Sequence, residues 1–173
     1  MKYTKEEARV KKQALTSLQV RAIPPVVKTT GISPTMSMNI RIKDLLKKYN
    51  ATLVYNDDLH KKGFNIPISS TSNIIVVNSD LADEEIEQVI LHELGHSAND
   101  YKIVGSYNNN LVPRSKMESK ANDFMLRELL ENYILTTNTD PTDINCVSFL
   151  ESERLPMSFE DSVRRIIMSG LSF

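Results

Sequence analysis

The sequence predicts an α+β fold in which a small sheet is accompanied by helices. Three β-rich runs, 51–55, 64–68 and 73–78, are separated by polar turns, and NIIVVN at 73–78 is the strongest of them. Residues before and after these runs have the 3.6-residue apolar period of helices. We therefore expect a helix, two or three short strands in an antiparallel or mixed sheet, and then further helices.

The composition is that of one compact domain with appendages. The chain has 173 residues and is 40% hydrophobic, which is enough to bury a core. Its net charge of −1 gives no overall positive electrostatic potential that would favour binding to nucleic acid or a membrane surface. Cys146 is the single cysteine, which excludes an internal disulfide. No apolar run resembles a signal peptide or a membrane span. We expect a soluble cytoplasmic protein without membrane association.

Residues 1–37 are predicted to be a basic helix followed by an extended connector. Thr4 and Glu7 fit a capping box that opens a helix to about residue 20, and 21–37 is rich in proline. A basic helix can contact nucleic acid, but the chain has no helix-turn-helix pattern and no overall positive charge. Direct nucleic-acid binding is therefore not expected.

Residues 38–135 are predicted to form the central domain, and 136–173 a helical extension that packs on it. Ser37 is expected to cap a helix that stops at Asn50, and Pro67 places the second strand at a sheet edge. A helix at 83–98, capped by Asp80 or Asp83, is followed by a loop at 97–116 and a helix at 115–133. The packing residues expected in the extension are Phe159, Val163, Ile166 and Ile167.

The most specific pattern in the chain is H-E-x-x-H, formed by His92, Glu93 and His96. Histidines four residues apart on a helix lie on one face, so both rings can bind one metal ion. Glu93 projects towards the same rim and can hold the proton of a metal-bound water. The alternative is a helix that carries two histidines for packing or solvation. Gly95, a poor helix former, indicates that another backbone passes close by.

A catalytic zinc site needs a third protein ligand. No histidine follows His96; His60 lies upstream in a predicted surface turn, and a free cysteine such as Cys146 is usually a small buried hydrophobe. Glu118 shares a helix face with Ala121 and Asn122, where a small alanine allows close helix contact and Asn122 can support a histidine ligand. Spacing alone does not decide between Glu118 as a ligand and Glu118 as an exposed carboxylate near a helix start.

The run IIVVNSDLADEEIEQVILHELGH, followed by ESKANDFM, resembles the ImmA/IrrE family of metallo-endopeptidases from phages, conjugative elements and bacterial stress regulators. The resemblance covers about 38–135 and implies a zincin-like core with a gluzincin-like site. It implies that His92, His96 and Glu118 bind Zn²⁺ and that Glu93 is the catalytic acid and base. Asn122 matches the alanine–asparagine pair of the family pattern. Met125 departs from that pattern, in which alanine is usual.

The resemblance implies a zinc endopeptidase that cleaves a helix-turn-helix repressor of a mobile element and so acts as an anti-repressor. Attack by zinc-bound water would be assisted by Glu93. The alternative is a binding module that keeps the fold and sequesters its partner without cleavage. Glu93 favours catalysis, because a pure binder does not need it.

Overall fold

The computed structural model describes Ala8, Arg9, Lys12 and residues 39–69, 71–100 and 111–170. In this part of the chain, five α-helices accompany a three-stranded sheet, which confirms the α+β class. The predicted N-terminal helix and connector lie almost wholly outside the described residues. The helices are α1 (Ile40–Lys48), α2 (Asp83–Asp100), α3 (Leu111–Thr137), α4 (Cys146–Ser152) and α5 (Glu160–Met168), and the strands are β1 (Ala51–Asn56), β2 (Gly63–Pro67) and β3 (Asn73–Asn78).

The sheet is mixed and has the strand order β1-β3-β2. β1 runs parallel to β3 with Ala51 opposite Asn73, and β2 runs antiparallel to β3 with Gly63 opposite Val77. The central strand β3 is buried on both faces, which explains its continuous apolar sequence. Pro67 lies on the edge strand β2, as predicted from its missing backbone donor.

Helix α1 begins later than the sequence suggested. Its N-cap is Asn39, whose side chain accepts the backbone N–H of Arg41, so the expectation of a cap at Ser37 was wrong. Asparagine caps a helix as well as serine does, and this stretch offers both. The predicted stop at Asn50 is confirmed: this residue adopts a left-handed conformation with φ 47° directly after the C-cap.

The predicted loop at 97–116 is helical at both of its ends. α2 continues to Asp100, and within it Ser97 and Asn99 donate to the carbonyl oxygens of Glu93 and Gly95, one turn earlier, at 3.2 and 2.8 Å. α3 begins at Leu111, and Pro113 falls in its first turn, where a missing N–H costs nothing. Residues 101–110 lie outside the described part of the chain.

The main core lies between one face of the sheet and the helices. The extension after residue 136 packs into it, since Phe149, Leu150, Val163 and Ile166 are all buried there, and Phe159 and Ile167 pack against its margin. None of the helices in the described ranges is long and apolar enough to span a membrane. A second cluster covers the other face of the sheet and consists of Leu59, Phe64, Ile66, Ile74 and Val76.

Candidate metal centre

Helix α2 presents its two histidines at the boundary between the core and solvent. Ile90 and Leu94 of the same helix are completely buried, whereas the side chains of His92 and His96 are 24% and 18% exposed. The two rings meet edge to face, with centroids 4.9 Å apart. The histidines therefore lie beside the buried stripe of α2.

Helix α3 brings Glu118 to these histidines because α2 and α3 touch where Gly95 meets Ala121. A Cβ atom at position 95 would lie 2.8 Å from both the Cα and the carbonyl oxygen of Ala121. Ala121 itself is completely buried. The close backbone approach indicated by Gly95 is thus present, and it sets Glu118, one turn before Ala121, opposite the histidine pair.

The three predicted ligands form one compact group of donor atoms. Glu118 Oε2 lies 3.5 Å from His92 Nε2 and 3.7 Å from His96 Nε2. Tetrahedral Zn²⁺ with bonds of about 2.0–2.2 Å separates neighbouring ligand atoms by roughly 3.3–3.6 Å. The group fits a zinc ion in both spacing and chemistry. It is the only such cluster of His, Cys, Asp or Glu side chains in the described ranges.

Asn122 supports the site from the next turn of α3. Its side chain is hydrogen-bonded to His92, as the shared helix face suggested, and such a bond fixes the orientation of a ligand ring. Burial and the neighbouring His96 lower the pKa of His92, while Glu118 and Asn122 oppose this. The net lowering of the His92 pKa favours the neutral imidazole, which is the form that binds metal.

Glu93 lies beside the donor group and is half-buried. Burial, with a smaller contribution from the negative charge of Glu118, raises the pKa of Glu93 to about 7. His96 and a hydrogen bond from the backbone N–H of Asn65 act in the opposite direction. A carboxyl with a pKa near neutrality can both accept and donate a proton, as a general acid–base group must.

A buried polar network joins the main chain at Glu93 to the sheet, and sequence reasoning missed it. Asn65 Nδ2 donates to Ser97 Oγ at 2.9 Å, and Asn73 Nδ2 donates to Asn65 Oδ1 at 3.0 Å and to Ser97 Oγ. Ser97 Oγ donates to the carbonyl oxygen of Glu93 at 3.2 Å. Asn73 and Ser97 are only 3% and 5% exposed. The available signal was an asparagine at the start of an otherwise apolar strand, together with a serine one turn after Glu93.

The two alternative ligands considered from the sequence do not belong to the donor group. His60 is exposed in the segment between β1 and β2, and Cys146 is a half-buried free thiol at the start of α4. Neither is part of the cluster formed by His92, His96 and Glu118.

Comparison with known proteins gives one match. The model of the Peptidase_M78 family, described as the IrrE N-terminal-like domain, matches residues 35–140 and thus more than half of the chain. The matched region contains the four site residues and ends before α4. No curated protein and no solved structure matches the chain.

Proposed function

Because this chain belongs to the Peptidase_M78 family of IrrE N-terminal-like domains, we propose that it is a zinc-dependent endopeptidase. His92, His96 and Glu118 would hold the ion, and Glu93 would be the catalytic acid and base. Family membership supports a metallopeptidase. The observation that carries the finer assignment is the donor group, with ligand atoms within 4.8 Å of one another, beside the half-buried Glu93.

Two imidazoles and one carboxylate leave one coordination position open on a tetrahedral ion. A zinc ion held there supplies a Lewis acid that makes water more acidic and polarises a peptide carbonyl. Glu93 would take the proton of the attacking water and later give it to the leaving amine. The pKa of about 7 is that of the metal-free protein, and the positive charge of a bound ion would lower it and so favour the carboxylate that accepts the proton. Asn122 would hold the His92 ring in its binding orientation.

The outer edge of β2 would bind the substrate main chain. Backbone bonds from Asn78 to Lys62 and from Ile68 to Ser72 flank the β2–β3 pair. Because such bonds alternate in an antiparallel pair, the carbonyl oxygens of Gly63, Asn65 and Pro67 and the N–H of Gly63 point away from β3. The N–H of Asn65 points the same way and donates to the carboxyl of Glu93, and Pro67 has no N–H. Within the described residues, no strand pairs with that side of β2. An extended peptide can therefore add to this edge.

The proposed substrate is a helix-turn-helix repressor encoded near the gene for this protein, so that cleavage relieves repression of a mobile element. This part of the proposal rests on the resemblance of the HELGH and ESKANDF segments to phage and mobile-element peptidases. If the substrate is such a repressor, the cleavage would take place in the cytoplasm.

The decisive experiment is intact-mass spectrometry of the neighbouring repressor after incubation with the full chain loaded with zinc. Parallel reactions contain the Glu93→Gln variant or a chelator. Fragments of defined mass in the wild-type reaction alone would establish the peptidase and locate the scissile bond. Cleavage that survives in Glu93→Gln would contradict the role of Glu93. If the repressor stays intact and coelutes on a sizing column with the wild type and with Glu93→Gln alike, the result would instead favour the binding module.

A further inference from the structure

A depression of 690 Å³ adjoins the metal-binding carboxylate on the side of α3 that faces the C-terminal extension. Its volume falls within the range of pockets that bind small ligands. Arg114, Glu118 and Asn122 line one wall from successive turns of α3, and Ser158, Phe159 and Ser162 form the opposite wall. A side chain bound here would therefore belong to a substrate residue close to the metal.

The opposite wall comes from residues outside the family match. That match ends at residue 140, whereas Ser158 and Phe159 precede α5, and Ser162 lies in its first turn. Phe159 also packs against the main core, which fixes the position of this wall relative to α3. The depression is thus formed jointly by the family domain and by the extension of this chain.

Among the described residues that line the depression, Arg114 is the positive side chain without an acidic partner. Asp123 is paired with Arg165 at 2.7 Å. Glu118 faces the two histidines and would be neutralised by the ion. Arg114 is exposed, and none of the described residues forms an ion pair with it. The rest of the lining is rich in serine hydroxyls, which donate hydrogen bonds readily.

We propose that this depression is a specificity pocket that binds an acidic side chain of the substrate and that Arg114 determines this preference. The proposal rests on the proposed function, because the pocket shares Glu118 with the metal site. Arg114 has no carboxylate partner among the described residues, and a guanidinium can bind a carboxylate through two parallel hydrogen bonds. The serine hydroxyls add further donors. Lysine and arginine side chains would be repelled by Arg114.

The test uses peptide hydroxamates, which bind zinc whether or not the protein is a peptidase. Matched compounds carry Glu, Gln or Lys at each of the positions next to the hydroxamate, and their affinities for the zinc-loaded full chain are measured by calorimetry. The wild type should bind the best-placed Glu compound roughly five-fold more tightly than its Lys analogue, since an exposed ion pair contributes about that much. Arg114→Glu should reverse this order.

Lys116→Glu is the matched control, because it makes the same charge change on an exposed residue of the same helix that does not line the depression. It should keep the wild-type preference. Ser158→Glu adds a carboxylate to the opposite wall and leaves residue 114 as arginine. It should weaken the preference for the Glu compound over its Lys analogue. Equal affinities in the wild type, or an unchanged order in Arg114→Glu, would overturn the proposal.

The same experiment separates this proposal from the proposed function. A preference for Glu that Arg114→Glu reverses, in a protein that cleaves no repressor, would support the pocket and count against the endopeptidase. Cleavage of the repressor together with indifference to Glu and Lys would leave the endopeptidase intact and overturn the pocket. Failure of every hydroxamate to bind the zinc-loaded protein would overturn both.

Discussion

The carboxyl of Glu93 accepts a hydrogen bond from the backbone N–H of Asn65, which joins the motif helix to the outer edge of the sheet. The side chain of Asn65 reaches the same helix, since it donates to Ser97 Oγ at 2.9 Å. Gly63, two residues earlier, allows this approach, because a Cβ atom there would lie 2.4 Å from Val89 Cγ1 of α2. The strand proposed to bind substrate and the proposed catalytic group are therefore held in one rigid arrangement.

The first prediction concerns the pH dependence of stability in the metal-free protein. The pKa of Glu93 is raised from 4.5 to about 7 in the folded protein. Between these values the folded state binds more protons than the unfolded state, so stability falls as pH rises through this window and stays lower above it. Glu93→Gln removes this titration and keeps an acceptor for Asn65. It should add about 3 kcal/mol to the free energy of unfolding at pH 8 and little below pH 4.5.

Urea denaturation of chelator-treated wild type and Glu93→Gln at pH 4.5, 6 and 8 measures this difference. Groups that titrate in both proteins cancel in the comparison. A difference that does not change with pH would show that Glu93 ionises as it does in the unfolded chain.

The second prediction is that Asn73 and Ser97 act together. Asn73→Ala leaves the half-buried Asn65 Oδ1 without its donor and should destabilise the fold by about 1–3 kcal/mol. Asn73 also donates to Ser97 Oγ, so the double variant with Ser97→Ala should lose about 0.5–1 kcal/mol less than the sum of the single variants.

Asn78 provides the matched control for this cycle. It ends the same strand, and its side chain donates to the carbonyl oxygen of Leu59 at 3.1 Å, roughly 16 Å along β3 from Asn73. The effects of Asn78→Ala and Ser97→Ala should add to within about 0.5 kcal/mol. Additive effects in both cycles would show that the network does not couple the sheet to α2.

Local sequence signals were sufficient where one residue type decided the structure. The bounds of β3 were predicted residue for residue, because a continuous apolar run ends in asparagine on both sides. Asn50 ended α1 because asparagine tolerates the left-handed conformation. The start of α2 at Asp83 was predicted correctly, but its C-terminal end and both ends of α3 were placed too short. Polar residues such as Ser97 were taken as loop formers, whereas the Ser97 side chain bonds backbone within the helix.

Contacts between residues far apart in the sequence could be predicted only in part. Gly95 signalled a close backbone neighbour, but the sequence alone could not identify Ala121 as that neighbour, and the choice of Glu118 needed the family resemblance. The sequence did not predict that Ser158 and Ser162 lie near Glu118, because their position depends on how the extension packs into the core. Such contacts depend on tertiary packing, which no short motif encodes.

The third prediction is that Gly95→Ala destabilises the protein although alanine is the better helix former. Alanine gains about 1 kcal/mol in helix propensity. Its Cβ would meet the Cα and carbonyl oxygen of Ala121 at 2.8 Å, and overpacking against groups that cannot rotate away costs about 1–3 kcal/mol or more. Moving α3 away would also separate Glu118 from the histidines. Denaturation should show a net loss of stability and a zinc titration a weaker affinity; wild-type values in both would contradict the close contact.

The last prediction ranks the residues proposed to hold the metal. Loss of a group that orients a ligand reduces metal affinity about 10- to 100-fold, so Asn122→Ala should weaken zinc binding by that amount. Glu118→Gln removes one of the proposed metal ligands itself and should weaken zinc binding more, at least about 100-fold by the same reasoning. Glu151→Gln, which changes an exposed carboxylate of α4, is the control and should bind zinc as the wild type does. Competition with a chromogenic chelator measures all three affinities. Equal affinities for Glu118→Gln and Glu151→Gln would remove Glu118 from the ligand set and leave the third position to a residue outside the described cluster.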